Sequence, residues 1–383
     1  MNIQPNSKTK VGVLFGGRSA EHEISILSAL QAISAMDSCA YDISPFYQHH
    51  NGKFYTGEKL LQKSFYRQFS TDSVREVVLL PDPRVRGFID RKTEKHYLVD
   101  VYFMCYHGQY GEDGCLQGLL EQKLAAYTGC SVISSAVSMN KHVCKQQVSR
   151  LGIPVLPHAH VLKKRAQSAF RMVVDDVITT PGLERFPLFV KPCHLGSSIG
   201  ISVAEDVASL QRALAQACYF DDEVLVEPCI ENLMEINVSV MQGRASIVEM
   251  PVRTSQVLTF EDKYLRGGSK DGNTEGMASL SRVIDPDIDP TMKQTIRSYA
   301  ERAFEALGCA GVVRFDFMVD LTTGMIYFNE LNPIPGSLSY YLWEKSVPKR
   351  TFTEVITAMI VEAEEKLRMK LSLQQSLEFR ALG

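Results

Sequence analysis

The residues of strongest chemical character lie in Val312–Gly336, VVRFDFMVDLTTGMIYFNELNPIPG. Apolar and polar residues alternate on both sides of DLTTG, which predicts a β-hairpin with a Pro-rich exit. Residues two apart on a strand share a face, so Arg314 and Asp316 project together, as do Glu330 and Asn332. A turn with Gly324 in the left-handed conformation, plus a one-residue bulge, would set Asp316 opposite Glu330. Two carboxylates, an amide oxygen and a guanidinium would then share one patch. Oxygen donors of this kind suit Mg²⁺, which takes few protein ligands and completes its shell with water and phosphate. The same residues would also serve as the solvated face of a surface hairpin, and the stretch alone leaves both readings open.

Other candidates follow Gly-rich turns at strand ends. Strand Lys10–Phe15 runs into Gly16-Gly17-Arg18-Ser19, and helical spacing over Ala20–Ala35 predicts a helix with Ser19 as N-cap. Strand, Gly-rich turn and helix open an α/β sheet that holds ligands at the carboxyl ends of its strands. G-x-G-x-x-G is missing, so a dinucleotide site is poorly supported. Glu21 is either a first-turn acid favoured by the helix dipole or a charge facing the sheet mouth. The buried strand Val99–Cys105 enters a loop with His107, Glu112 and Asp113 among three glycines. Such a loop suits function, although His107 also fits a hydrogen-bonded structural role. Strand Phe186–Pro192 carries Lys191 and precedes His194–Ile201, HLGSSIGI. Its glycines, hydroxyls and backbone N–H groups suit phosphates, with Lys191 as the cation within reach. Glu227 ends one strand, Glu223–Cys229, and Glu235 lies in another, Met234–Val240.

The positioning elements read as α/β followed by α+β. Tyr41–Tyr47 predicts a second strand, and 48–97 an elaborated insertion with a hairpin around Gly87 and Tyr97. Helix Cys115–Leu124, strand Ala126-Tyr127 and helix Ser134–Arg150 close a first domain, with a boundary at Gly152–Pro157. Helices follow at Ala204–Tyr219, Asp289–Leu307 and Thr351–Leu371, and Leu265–Met277 has the composition of a mobile loop. A chain of 383 residues accommodates two or three domains. A net charge of −3 argues against a nucleic-acid protein, which shows a basic excess. The nine cysteines are scattered, with no C-x-x-C pair and no Cys/His cluster at zinc spacing, and read as reduced cytosolic thiols. The polar N-terminus lacks a signal-peptide core, and no run approaches the roughly 18 apolar residues of a membrane span. A soluble intracellular protein is expected.

Together these stretches resemble the D-alanine–D-alanine ligases of the ATP-grasp superfamily, from about residue 10 to about 370. The resemblance is carried by GGRSAEHEIS at 16–25, HGQYGEDGCLQGLLE at 107–121, SMNK at 138–141 and VKPCHLGSSIGI at 190–201. It continues through KY at 263–264, RFDF at 314–317 and NELNPIPG at 329–336, all in family order. It implies a three-domain ATP-grasp architecture with an N-terminal open parallel α/β sheet. The divisions fall at 1–135, 136–231 (a small central subdomain) and 232–383 (with the metal hairpin and the loop). ATP would lie between the sheets of the second and third units. ATP would phosphorylate the carboxylate of a first D-alanine, and a second amine would attack the acyl phosphate. The product would be D-alanyl-D-alanine for peptidoglycan, made in the cytoplasm.

Residue by residue, the resemblance implies that Asp316, Glu330 and Asn332 hold two Mg²⁺ ions, with Mn²⁺ as a substitute. Lys141, Lys191, Lys263 and Ser198 would contact ATP phosphates, and Glu227, Ile230, Glu235 and Met318 adenine and ribose. Arg314 and the N–H of Gly336 would hold the acyl oxygen. Glu21 would bind the first ammonium and join Ser197 and Tyr264 in a trio that closes the loop against water. His107, Ser339, Tyr341 and Leu342 would lie at the second substrate. The family is often dimeric, which by analogy implies a homodimer.

The chain departs from the family at several points. Asn140 stands where an aspartate is usual, while Lys141 is kept. Pro228 and Cys229 replace a lysine and an aromatic residue, Met234 replaces a glycine, and Leu258 or Thr259 falls where a loop tyrosine is usual. After Gly336 the run is Ser337-Leu338-Ser339-Tyr340-Tyr341, which sets Tyr341 where a serine commonly binds the acceptor carboxylate. Ser339 would substitute if the backbone shifts. The alternative acceptors are D-serine, D-lactate or another amino acid, with Lys263 and Tyr264 favouring an amine. A catalytically inactive nucleotide-binding regulator is the reading from another class.

Overall fold

Strands Thr9–Gly16 and Val101–Met104 are apolar and buried along nearly their whole length, as befits the centre of a parallel sheet covered on both faces. The computed structural model describes residues 8–252 and 282–373. Thr9–Gly16 pairs in parallel with Tyr41–Gln48 on one side and Val101–Met104 on the other, and Ala126–Tyr127 completes the parallel set. Beyond Tyr41–Gln48 the same sheet continues antiparallel through Phe54–Thr56, Arg75–Val78, Phe88–Asp90 and His96–Tyr97, making eight strands. The stretch 48–97 is therefore an extension of the sheet. The expected hairpin is its outermost pair, with Phe88 opposite Tyr97.

The second sheet has four antiparallel strands, in the order Ser202–Ala204, Leu188–Pro192, Glu223–Pro228, Ala159–Leu162. Helices Lys163–Thr179 and Val207–Phe220 cover it with Val173, Val177, Leu210 and Leu214. The third sheet has five antiparallel strands, Arg282–Ile284, Arg244–Pro251, Leu233–Met241, Val312–Asp320 and Ile326–Asn332. Its core joins Val238, Phe315, Phe317 and Phe328 with Ile296 and Ala300 of helix Pro290–Ala306.

Two helical expectations are corrected. The predicted helix at Ser134–Arg150 is two helices, Val132–Met139 and Lys141–Ser149, because Asn140 is extended (ψ 103°) and its side chain accepts the Val143 N–H. That is an asparagine acting as N-cap. Cys144 and Val148 of the second helix pack in the core of the five-stranded sheet. The first helix begins at His22 with Glu21 preceding it, and Ser19 does not cap it. The Ser19 hydroxyl donates to the His107 carbonyl and accepts the Glu21 N–H, tying two loops together. The last helix, Phe352–Ser372, opens with a Thr351–Glu354 capping box. It returns Val355, Ile356, Met359 and Ile360 to the core of the first sheet. Among the described residues no helix is long and apolar enough to cross a membrane.

Candidate active site

The hairpin has the register that its period and its turn require. Gly324 is left-handed (φ 73°). Asp316 stands opposite Glu330 and Arg314 opposite Asn332, and the register shifts between Asp316 and Phe317. Arg314 clasps Asp316 through Nε–Oδ1 (2.6 Å) and Nη2–Oδ2 (2.7 Å), and the Asn332 amide donates to Oδ2 (3.2 Å). Burial opposes the charge of Arg314, yet the adjoining Asp316 carboxylate raises its pKa well above the ordinary value. The side chains of Asp316 and Glu330 remain 14% and 24% exposed, so the patch stays within reach of a diffusible cation. Its metal-capable atoms are oxygens only, from two carboxylates and one side-chain amide. That chemistry fits Mg²⁺ and not a thiophilic metal.

Two lysines from the facing elements reach this hairpin. Lys141, at the start of its helix, lies 3.4 Å from Glu330 and donates to the Leu195 carbonyl (2.6 Å). Lys191 crosses from the four-stranded sheet to Asn329 Oδ1 (3.0 Å) and pairs with Glu227 (2.5 Å). Glu227 also pairs with Lys145 (2.8 Å), whose side chain is fully buried and donates to the Phe328 carbonyl. Burial would raise the pKa of Glu227, but the two lysines outweigh it and hold the carboxyl at about 2. Sequence reasoning missed Lys145, because a lysine in a short helix carries no sign that it points inward. Ile230 is half-buried, while Glu235 pairs across the sheet with Met318. Asn140 donates to Glu223 (3.1 Å), where an aspartate would meet a like charge.

A third contact joins the first sheet to the Gly-rich turn. Ser197 donates to the Glu21 carboxylate. That carboxylate lies so near two glycines that a Cβ on Gly108 or Gly196 would approach it to 2.8 or 3.0 Å. Ser197 and Ser198 both have positive φ (52° and 61°). Two of the three residues of the expected trio thus meet. Tyr264, with Lys263 and the 265–277 stretch, lies outside the described residues.

The exit of the hairpin is held from below by buried polar groups. Glu112 accepts the N–H groups of Gly108 (2.6 Å) and Ile334 (2.9 Å), and its burial beside Glu21 raises its pKa well above the ordinary value. His107 bonds to Ser28 Oγ (2.8 Å) and the Ile334 carbonyl, and burial lowers its pKa to about 4. Past Gly336, three residues that are not glycine, Ser337, Leu338 and Ser339, have φ of 52°, 51° and 47°. Left-handed backbone costs each of order 1 kcal/mol, so surrounding contacts must impose it. The hydroxyls of Ser337 and Ser339 are buried without a hydrogen-bond partner among the described residues, and Leu342 is wholly buried in the interior. The Tyr341 hydroxyl donates to Glu249 (3.1 Å), which Arg282 also holds (2.7 Å), with the Arg282 guanidinium 4.2 Å above the Tyr341 ring. Neither Glu249 nor Arg282 was recognisable from sequence, since both lie in plain strand segments.

Residues 10–130 match the family model described as D-ala D-ala ligase N-terminus, and residues 147–361 match the one described as D-ala D-ala ligase C-terminus. A D-alanine–D-alanine ligase of Thermosipho africanus is 35% identical over 96% of both chains. The solved structure of the D-alanine–D-alanine ligase from Coxiella burnetii superposes with a TM-score of 0.76 at 26% identity, covering 95% of this chain and 96% of that one. The VanG D-Ala:D-Ser ligase of Enterococcus faecalis superposes equally well (0.76, 27% identity, 94% and 100% coverage).

Proposed function

The chain belongs to the D-alanine–D-alanine ligase family, and from that premise we propose that it joins two D-alanines at the expense of ATP, for peptidoglycan. The observation that supports this best is the pairing of Asp316 with Glu330 beside Arg314, with Lys141 3.4 Å from Glu330. A γ-phosphoryl group arriving there meets cations already in place. Lys191 is fixed toward Asn329 by Glu227, so a phosphate finds it oriented. The carboxylate of the first D-alanine attacks the γ-phosphorus and ADP leaves. The second amine then attacks the acyl carbon, and phosphate departs with one former carboxylate oxygen. Arg314 and the Gly336 N–H stabilise the oxygen that becomes negative in that second step. Glu21 binds the first ammonium, and its bond to Ser197 brings the Gly-rich turn down over the reacting atoms, which excludes water.

Asp316, Glu330 and Asn332 would hold Mg²⁺, two ions by the family resemblance and Mn²⁺ in its place. Held there, Mg²⁺ would supply positive charge that offsets the negative charge of the transferring phosphoryl group. Lys263 and Ser198 complete the phosphate contacts. Ile230, Glu235 and Met318 take adenine and ribose together with Glu227, which in this geometry also acts through Lys191. We place the reaction in the cytoplasm and, by family analogy, in a homodimer.

A second reading concerns the acceptor. Tyr341 is committed to Glu249, and the buried Ser339 hydroxyl is without a partner among the described residues. With His107, Ser339, Tyr341 and Leu342 at the acceptor end, as the family resemblance implies, this arrangement supports D-serine, D-lactate or another amino acid as acceptor beside D-alanine. An inactive regulator is disfavoured, because Arg314, Asp316, Glu330, Asn332, Glu21 and Ser197 are all present. The test is phosphate release from Mg²⁺-ATP with D-alanine alone, the product identified by mass, followed by an acceptor screen with D-alanine as first substrate. D-alanyl-D-alanine as the main product supports the first reading. A mixed dipeptide formed faster than D-alanyl-D-alanine supports the second, and no release with any D-amino acid refutes both.

A further inference from the structure

A second cluster of ligating side chains lies at one end of the four-stranded sheet and has no part in the ligation chemistry. His160 comes from strand Ala159–Leu162, Glu223 opens strand Glu223–Pro228, and Cys193 follows strand Leu188–Pro192. Ligand atoms of these three residues lie within 4.8 Å of one another, and His160 Nε2 is 2.8 Å from the Glu223 carboxylate. The His160 and Glu223 side chains are 24% and 26% exposed while Cys193 is buried, so two of the three side chains are within reach of solvent and the third lies beneath it.

The surroundings orient these groups. The His142 ring stacks on His160, with centroids 4.0 Å apart and planes 10° from parallel. His158 Nδ1 is 3.1 Å from the Leu156 carbonyl, an acceptor, so that nitrogen carries the proton. His158 Nε2 then accepts from His142 Nδ1 at 3.2 Å, and both rings are satisfied in neutral form. The Asn140 amide steadies Glu223, and the His142 main-chain N–H bonds the Cys193 sulfur. Outer contacts of this kind set the direction of metal ligands.

We propose that His160, Cys193 and Glu223 form a metal site for Zn²⁺ or a cation of the same borderline class, separate from the oxygen-only hairpin. One nitrogen, one sulfur and one carboxylate with an open fourth position is a zinc-type donor set, whereas Mg²⁺ prefers oxygens alone. Binding exchanges the His160–Glu223 hydrogen bond for two coordinate bonds. The Glu223 carboxylate only accepts, so His160 carries its proton on Nε2 before binding; that proton passes through solvent to Nδ1, which frees Nε2 for the metal, and the Cys193 thiol releases its proton to solvent as the metal thiolate forms. The site also borders the phosphate-binding lysines. The Lys141 N–H donates to the Cys193 carbonyl (3.1 Å), and Lys191 lies two residues before Cys193. An ion held here therefore fastens the main chain from which both lysines project.

The proposal goes beyond the ligase reading, and its test needs no turnover. The full chain, stripped of metal and without ATP, is titrated with Co²⁺. The expected result is one ion per chain with a near-ultraviolet thiolate-to-cobalt band that Zn²⁺ abolishes and excess Mg²⁺ does not. The band is lost in Cys193→Ser, the affinity falls at least about tenfold in His160→Gln and Glu223→Gln, and Asp316→Asn leaves both unchanged. Should Cys193→Ser fail to fold, the two variants at part-exposed positions decide. No thiolate band, or a band equally strong in His160→Gln and Glu223→Gln, overturns the site and leaves His160–Glu223 a plain ion pair.

Discussion

The hairpin at 312–332 and the segment that leaves it at 336–343 are adjacent in the chain and follow different physical rules. In the hairpin, period-two alternation and one left-handed glycine fix which side chains face together, and Asp316 meets Glu330 through backbone pairing. In the exit, three consecutive left-handed residues have no local preference for that conformation. They are held by contacts from afar: the Ser337 N–H to Ser28, Tyr341 to Glu249, and the Trp343 indole to Ser239. On our proposal, the chemistry common to ATP-driven ligation belongs to the locally determined part, and the shape that selects the acceptor to the part determined at a distance. A chain can therefore alter its acceptor end without disturbing its phosphate end.

The sharpest way to break this contrast is to remove one hairpin carboxylate. Asp316→Asn or Glu330→Gln lowers kcat by at least about a thousandfold, ~4 kcal/mol of transition-state stabilisation, with circular dichroism unchanged. A near-normal rate would return these residues to a solvated face. Glu227 tests the other kind of carboxylate. Glu227→Gln leaves Lys145 and Lys191 buried without their counter-charge and destabilises the fold by about 4 kcal/mol. Thermal and urea unfolding measure it.

The exit also answers to pH. His107 bonds to Ile334 as a neutral ring, with its folded pKa lowered to about 4. Its contribution is complete above the unfolded value near 6.5 and is lost as pH falls through 4, because the unfolded chain binds the proton first. Glu112, whose folded pKa is raised, works in the opposite sense: its contribution is present below about 4.5 and fades as pH rises. Trp343 is the single tryptophan and lies in the exit, so its fluorescence should change between pH 6.5 and 4, and His107→Gln should flatten that change. The smallest effect concerns selectivity. Tyr341→Phe removes the bond to Glu249 and raises the KM of the acceptor about tenfold, ~1.4 kcal/mol. The KM for ATP stays unchanged, and equal changes in both would mean that Tyr341 serves only the fold.

Legibility follows the same division. Arg314, Asp316, Glu330 and Asn332 could be placed on one face because strand period and turn chemistry are local. Lys191 was conspicuous as a cation between an apolar run and a Gly-rich turn, whereas Lys141 was singled out only by the family resemblance. The strands between 54 and 97 were illegible because each has only two to four residues and is held by its neighbour in the sheet. The break at Asn140 was hidden by helical spacing that continues across it, although asparagine before a helical turn is itself a cap signal. Lys145, Glu249 and Arg282 acquire their roles only when sheets meet. His160, Cys193 and Glu223 have no metal spacing in the sequence, since roughly thirty residues separate each from the next.

The central claim is that ATP activates the first carboxylate as an acyl phosphate on the acid hairpin. It is tested most directly with D-alanine carrying ¹⁸O in its carboxylate. The account predicts that each phosphate released during dipeptide synthesis contains one labelled oxygen, and that Glu330→Gln releases neither labelled phosphate nor dipeptide. Dipeptide formed with unlabelled phosphate would contradict it.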